Sequence, residues 1–400
     1  MATDTTHPLL EKRTEVILWL FSACGQWLMQ ESRRRRQATD DEPAAGSMTV
    51  PVHLDRKLLG KMAYFHNLEP ILHDLIRRKT LSSAGIPRRL TESWEAAYLG
   101  TVVANADLLT VLFDLSNASQ KQGVPLMVLK GPTSIARIYK DSGLRTMADL
   151  DVFCPDTALA PCGRIARSLG FRHARDVYLH HLSLFHERLG VILELHFALY
   201  HWISHRKRVA DEMWTHRQWV DLEGVRIPVM SVEDQLVFGL AHIISHDYRL
   251  SLKQYLDFLA IPVLLRSEID LARVFHMLDL ADLRQEFVGL CGILTDLLGV
   301  SVDLGAERQT ADARVALRRS VVHRAVDVGF VSPKQAGGEF ERQAGLASQV
   351  RSMSRRLVPP LSALQVVYAL PSRRRALLMR PHYIWATLKD VRRRKRAEGR

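Results

Sequence analysis

The chain has 400 residues, 47% hydrophobic and 24% charged, a balance that excludes global disorder and supplies ample apolar surface for one large or two closely packed cores. A formal charge of +12 and a sequence pI near 9.7 favour anionic partners such as nucleotides, nucleic acid or a membrane surface without choosing among them. Cys24, Cys154, Cys162 and Cys291 are scattered and form no C-x-x-C pair, so neither a disulfide framework nor a cysteine zinc site is indicated and a cytoplasmic setting is expected.

The first long apolar stretch, TEVILWLFSACGQWLMQ at 14–30, is too short to span a bilayer, and its uninterrupted run from Val16 to Phe21 is shorter than an export-signal core. It reads as an amphipathic helix using Trp19, Leu20, Trp27 and Leu28, and no membrane insertion is expected. From 9 to 120 the apolar spacing is helical, interrupted by a polar loop at 33–47 and a break at 82–90.

At Gly123 the pattern changes. VPLMVL reads as a strand, Lys130-Gly131 as a tight turn, and PTSIARIYK as a helix opened by Pro132. Asp149 to Phe153 follows as a second strand, TALAPCGRIARSLGF as a second helix, and HHLSLFHERLGVILELHFALY as two strands joined at Leu189-Gly190. WVDLEGVRIPVM reads as a further hairpin, after which helices return, with breaks expected at Pro359-Pro360, Pro371 and Pro381. The expected class is α+β, a small mixed sheet with helices on one face. Four segments are expected: an N-terminal helical region at 1–120, a core at 121–230, a helical domain at 231–330 and a basic helical C-terminal region at 331–400.

Within GLRTMADLDVFCP, strand alternation places Asp149 and Asp151 on one face, with Leu150 and Val152 on the other. Adjacent carboxylates repel near a core unless a cation sits between them, and hard oxygen ligands of this kind suit magnesium or manganese. A lone D-x-D is a weak signal, more often an exposed strand edge or turn than a metal site. The context sharpens it: a strand ending in LKG, Arg145 four residues before the first aspartate, and Glu194 in VILELHF, where Glu194 and His196 again share one face.

LKGPTSIARIYKDSGLRTMADLDVFCP with LELHFAL resembles the uncharacterised nucleotidyltransferase family of the DNA polymerase β-like superfamily. GIPRRL, NADLLTVLFDL, AHIISHDYRLSLKQYLDF and YALPSRRRALLMRPHYIW are similar to its helical flanks, so that the resemblance extends over 14–390. It implies a metal-dependent enzyme that moves a nucleoside monophosphate from NTP to an acceptor hydroxyl and releases pyrophosphate. It further implies that Asp149, Asp151 and Glu194 hold Mg2+ or Mn2+, that Glu194 acts on the attacking hydroxyl, and that Lys130, Gly131 and Arg145 hold the triphosphate. Two departures stand out. The residue before the acid pair is usually a small hydroxyl residue but is Ala148 here, with Thr146 and Ser142 nearby as substitutes, and Glu194 stands where Asp is common.

The acceptor stays open: a small molecule or natural product, a peptide or protein, and RNA are all compatible with the same core. A non-catalytic nucleotide- or nucleic-acid-binding protein and a kinase-type phosphoryl transfer are the rival readings. Arg33 to Arg36, Arg373 to Arg375 and Arg392 to Arg396 read singly as solvated faces and together leave nucleic acid open as a partner. His242 and His246 read as packing residues, Asp257 as a cap or a partner of Lys253, and the histidines from His173 to His205 show no ligand spacing.

Overall fold

In a computed structural model of the chain, which describes residues 6–36, 48–177, 180–200, 202–302, 311–330 and 358–398, the run Asp149–Phe153 forms β2 at the centre of a sheet. Leu150 and Val152 are fully buried, and Asp151 and Phe153 on the opposite face are buried as well. Strands covered on both faces are typical of parallel pairing, and β2 runs parallel to β5 (Val191–His196).

The fold is α+β, with one seven-stranded mixed sheet in the order β3-β4-β5-β2-β1-β7-β6. The remaining strands are β1 (Met127–Val128), β3 (Phe171–Val177), β4 (His181–His186), β6 (Gln218–Leu222) and β7 (Val225–Val229). β1 pairs parallel with β7 and antiparallel with β2, the hairpin β4–β5 forms where the Leu189-Gly190 turn predicts it, and WVDLEGVRIPVM forms the expected hairpin β6–β7, turning at Glu223-Gly224. Gly190 and Gly224 take φ of 69° and 81°, a left-handed conformation that glycine adopts without a Cβ penalty.

Several expectations are corrected. β3 is an edge strand that the sequence pattern conceals, because RHARDV has no apolar alternation and an edge tolerates polar residues on both sides. The preceding helix, Asp156–Ser168, therefore stops before Phe171. The helix opened by Pro132 is four residues long, Gly131–Ser134, and passes into a buried π-helical turn, Ile135–Tyr139. The first helix, Thr6–Arg35, runs into the segment read as a polar loop, whose residues 37–47 lie outside the described ones. Pro381 does not break the chain but lies inside the helix Arg373–Glu398. Residues 331–357 of the basic C-terminal region lie outside the described residues.

Backbone contacts divide the chain into two units that interleave along the sequence. A sheet unit comprises the described residues of Asp107–Pro132, Ala148–Val229 and Glu341–Arg400. A helical unit comprises those of Met1–Ala106, Thr133–Met147 and Met230–Phe340. In the helical unit, Thr6–Arg35 buries Val16, Ile17, Leu20, Phe21, Trp27 and Leu28. Trp27 donates from Nε1 to Asp74 Oδ2 at 3.0 Å and stacks on Tyr139 at 5.2 Å between centroids. That first helix comes so close to Leu298 that a Cβ on Gly25 would sit 1.6 Å from the Leu298 carbonyl oxygen. By length and composition one helix among the described residues, Arg88–Lys121, could cross a membrane, a test that core helices of globular proteins also pass.

Candidate active site

The parallel register sets Asp149 beside Ile192, Asp151 beside Glu194 and Phe153 beside His196. Parallel neighbours project to the same side, so Asp149, Asp151, Glu194 and His196 share one face of the sheet. The next strand extends the row, since β4 pairs His181 with His196 and Ser183 with Glu194. Lys130 follows β1 at the strand-to-helix turn in a left-handed conformation, φ 47°, one residue before Gly131. The strain of this non-glycine residue is offset by what its side chain reaches.

Lys130 Nζ lies 2.9 Å from Asp151 Oδ1, and His196 donates from Nε2 to the same oxygen at 2.8 Å. His196 Nε2 is also 3.4 Å from Glu194 Oε2, while His181 Nε2 is 3.4 Å from Glu194 Oε1. Asp151 and His196 are buried, Glu194 and Asp149 are half-buried, and the adjoining Ile192 is exposed. A buried carboxylate without partners would stay protonated. Here burial pushes the Asp151 pKa up, but the Lys130 charge and the His196 hydrogen bond outweigh it and hold Asp151 well below the usual carboxylate range. Burial likewise opposes ionisation of Glu194, and hydrogen bonds from His181 and His196 overcome it, bringing its pKa to about 2. Lys130 loses to burial and gains more from Asp151, so its pKa rises above the ordinary lysine value.

Arg145 occupies a different setting. It belongs to the helical unit, is buried, and donates from Nη2 to Asp257 Oδ2 at 2.7 Å and from Nη1 to the Thr146 carbonyl at 2.8 Å. Tyr139 donates to the other Asp257 oxygen at 2.7 Å, and Lys253 donates to the Thr146 carbonyl at 2.7 Å and to its hydroxyl at 3.2 Å. Asn105 fixes the same segment by donating to the carbonyls of Ser142 and Arg145. Ala148 is exposed.

A family model described as an uncharacterised nucleotidyltransferase matches residues 53–299. The chain belongs to that family. The matched span is narrower than 14–390 and takes in Lys130, Gly131, Arg145, Asp149, Asp151 and Glu194; no curated protein matches the chain.

The donor set on this face fits a divalent cation. Asp151, Glu194 and His196 each offer one ligand atom, all within 4.8 Å of one another, and Asp149 adds a half-buried carboxylate on the same face. Among the described residues, three carboxylates share that face with the Lys130 ammonium, a grouping of hard oxygen donors that suits a cation. Two groups of three metal-capable side chains occur among the described residues, and His242 and His246, whose rings meet edge to face at 4.6 Å, belong to neither.

His181 and His180 are the site neighbours that sequence reasoning missed. The signal was present in the hairpin: counting outward from the Leu189-Gly190 turn pairs His186 with Val191 and, five residues further, His181 with His196. Spacing along the chain conceals a cross-strand pair.

Proposed function

We propose that this nucleotidyltransferase moves a nucleoside monophosphate from NTP to an acceptor hydroxyl. The observation that carries the proposal is the alignment of Asp151 with Glu194 on adjacent parallel strands, with the Lys130 ammonium on Asp151. The hydroxyl oxygen bonds to the α-phosphorus as the bond to the bridging oxygen breaks, and pyrophosphate departs with that electron pair. Glu194 accepts the hydroxyl proton. Mg2+ or Mn2+, held by Asp149, Asp151 and Glu194, would supply charge stabilisation at the attacking and leaving oxygens. Lys130 offers its N–H groups to phosphate oxygens entering the acid face, and Gly131 lets the chain pass close beside them.

Arg145 is the less direct member of the proposed triphosphate set. Its guanidinium already serves Asp257 and Thr146, so it orders the segment leading into Asp149 and contacts phosphate only if an anion competes with Asp257. Thr146, the candidate substitute for the hydroxyl absent at Ala148, accepts from Lys253 through its oxygen, a contact that does not use its own O–H donor.

The test incubates the full chain with each α-labelled NTP, Mg2+ or Mn2+ and candidate acceptors, following pyrophosphate release and the position of the label. The expected result is label on an acceptor, lost in Asp149→Asn with Asp151→Asn. Transfer of a γ-label with release of NDP would establish the kinase reading instead, and nucleotide binding without turnover would establish the non-catalytic one.

A further inference from the structure

Beside the acid row lies a second group of potential ligands, which has only His196 in common with the first. His180, His181 and His196 each present one ring nitrogen, all within 4.8 Å of one another. Their rings are mutually packed, with centroids 4.6 Å apart for His180 and His181, 5.0 Å for His181 and His196, and 5.6 Å for His180 and His196. His181 and His196 are buried, and His180 is half-buried against Tyr200, 4.8 Å between centroids.

We infer that His180, His181 and His196 form a binding site for a borderline divalent transition ion of the zinc class, separate from the carboxylate site. Three imidazoles are the donor set such ions prefer, whereas Mg2+ favours oxygen. With the ion on Nδ1, two of the rings would have the outer partners that metal-binding histidines use to fix their orientation, since His196 Nε2 faces Asp151 at 2.8 Å and His181 Nε2 faces Glu194 at 3.4 Å. The backbone positions the third, because the amides of Phe197 and Ala198 donate to the His180 carbonyl at 2.9 and 3.2 Å, binding the start of β4 to the chain leaving β5. An ion there would close the end of the β4–β5 hairpin opposite its turn. It would also connect, through His196 and His181, to both Asp151 and Glu194.

The inference stands apart from the transfer reading although the two share His196, and the experiment separates them. Chelator-stripped full-length protein is titrated with Co2+ in excess Mg2+, reading the visible bands that nitrogen-rich low-coordinate cobalt produces. One Co2+ per chain is expected, displaced by Zn2+. Binding should weaken by about 100-fold or more in His180→Ala and His180→Asn, since losing a direct ligand costs at least what an outer partner does. Asp149→Asn and His242→Ala, each folded by circular dichroism, should bind as the parent does. Unaltered Co2+ binding in both His180 variants overturns the site, and equal weakening in Asp149→Asn overturns its separateness. Failure of nucleotide transfer with these Co2+ results intact would count against the proposed function alone.

Discussion

The helical unit buries Arg145 against Asp257, and the sheet unit sets a half-buried Lys130 against a buried Asp151, but the two clusters are made up differently. Around Asp257 one guanidinium meets one carboxylate, the tyrosine hydroxyl of Tyr139 satisfies the second oxygen, and the charges cancel. Around Asp151, among the described residues, one ammonium and a set of imidazoles face three carboxylates, Asp149, Asp151 and Glu194. A closed pair fixes a conformation, whereas an acid-rich group on a sheet face offers the oxygen donors that the proposed cation would use. The residue types are alike in the two places; the ratio of acids to bases distinguishes a structural pair from a site.

The sharpest way to break that contrast is Asp151→Asn. Transfer should fall to background in a pyrophosphate-release assay, because a ligand is lost. Two adjacent carboxylates taken alone suggest that neutralising one is harmless to stability, but the Lys130 contact reverses this. The ammonium would lose its charged partner in a mostly buried place, at about 1–3 kcal/mol, read from the urea midpoint at constant m. Parent-like turnover would remove Asp151 from the site.

Asp257→Asn probes the balanced cluster. It removes the carboxylate that the buried Arg145 guanidinium meets at 2.7 Å and should cost about 3 kcal/mol of unfolding free energy. A stability unchanged within about 0.5 kcal/mol, as at an ordinary surface position, would show that the pair does not hold the segment.

A pH-dependent effect, smaller over the range from pH 7 to 5, belongs to the helical unit. His66 is fully buried and its Nδ1 accepts from the Leu252 amide at 3.1 Å, so the ring must be neutral at that nitrogen. Burial lowers its pKa from 6.5 to about 3, only partly opposed by a backbone contact at Ala325. The unfolded chain therefore takes the proton first, and stability falls as pH drops from 6.5 toward about 3, by up to about 1.4 kcal/mol per pH unit. His66→Gln should flatten that slope in chemical denaturation between pH 7 and 5; an equally steep slope in the variant would assign the loss to other groups.

The smallest expected effect is at the C-terminus. Truncation after Asp390 should leave transfer and stability unchanged, because none of the acids, Lys130 or the histidine cluster lies beyond it. A complex with RNA whose affinity falls steeply with salt, and less steeply after truncation, would instead make nucleic acid the leading acceptor.

Much of the sheet was legible in local pattern. Asp149 to Phe153, the Leu189-Gly190 hairpin and the strand before Lys130 follow from alternation and turn residues, although VPLMVL yields a pairing strand of only Met127–Val128. β3 was not legible, because its polar residues are tolerated at an edge and edge position is a property of the sheet. The π-helical turn after Gly131 was equally hidden: its sequence, IARIY, has ordinary helical character.

Sequence by itself determined which residues could form an acid face, because alternation along a strand fixes that Asp149 and Asp151, and separately Glu194 and His196, project together. Tertiary structure alone decided what those faces meet. Strand order placed β5 beside β2, and register put Glu194 against Asp151 and His181 against His196. The same global arrangement gave Arg145 to Asp257, more than a hundred residues away, in a unit interleaved with the one that holds the acids. Periodicity reports the direction of a side chain relative to its own backbone, but partners across a sheet or between distant helices are chosen by how the whole core closes, and no local spacing encodes that choice.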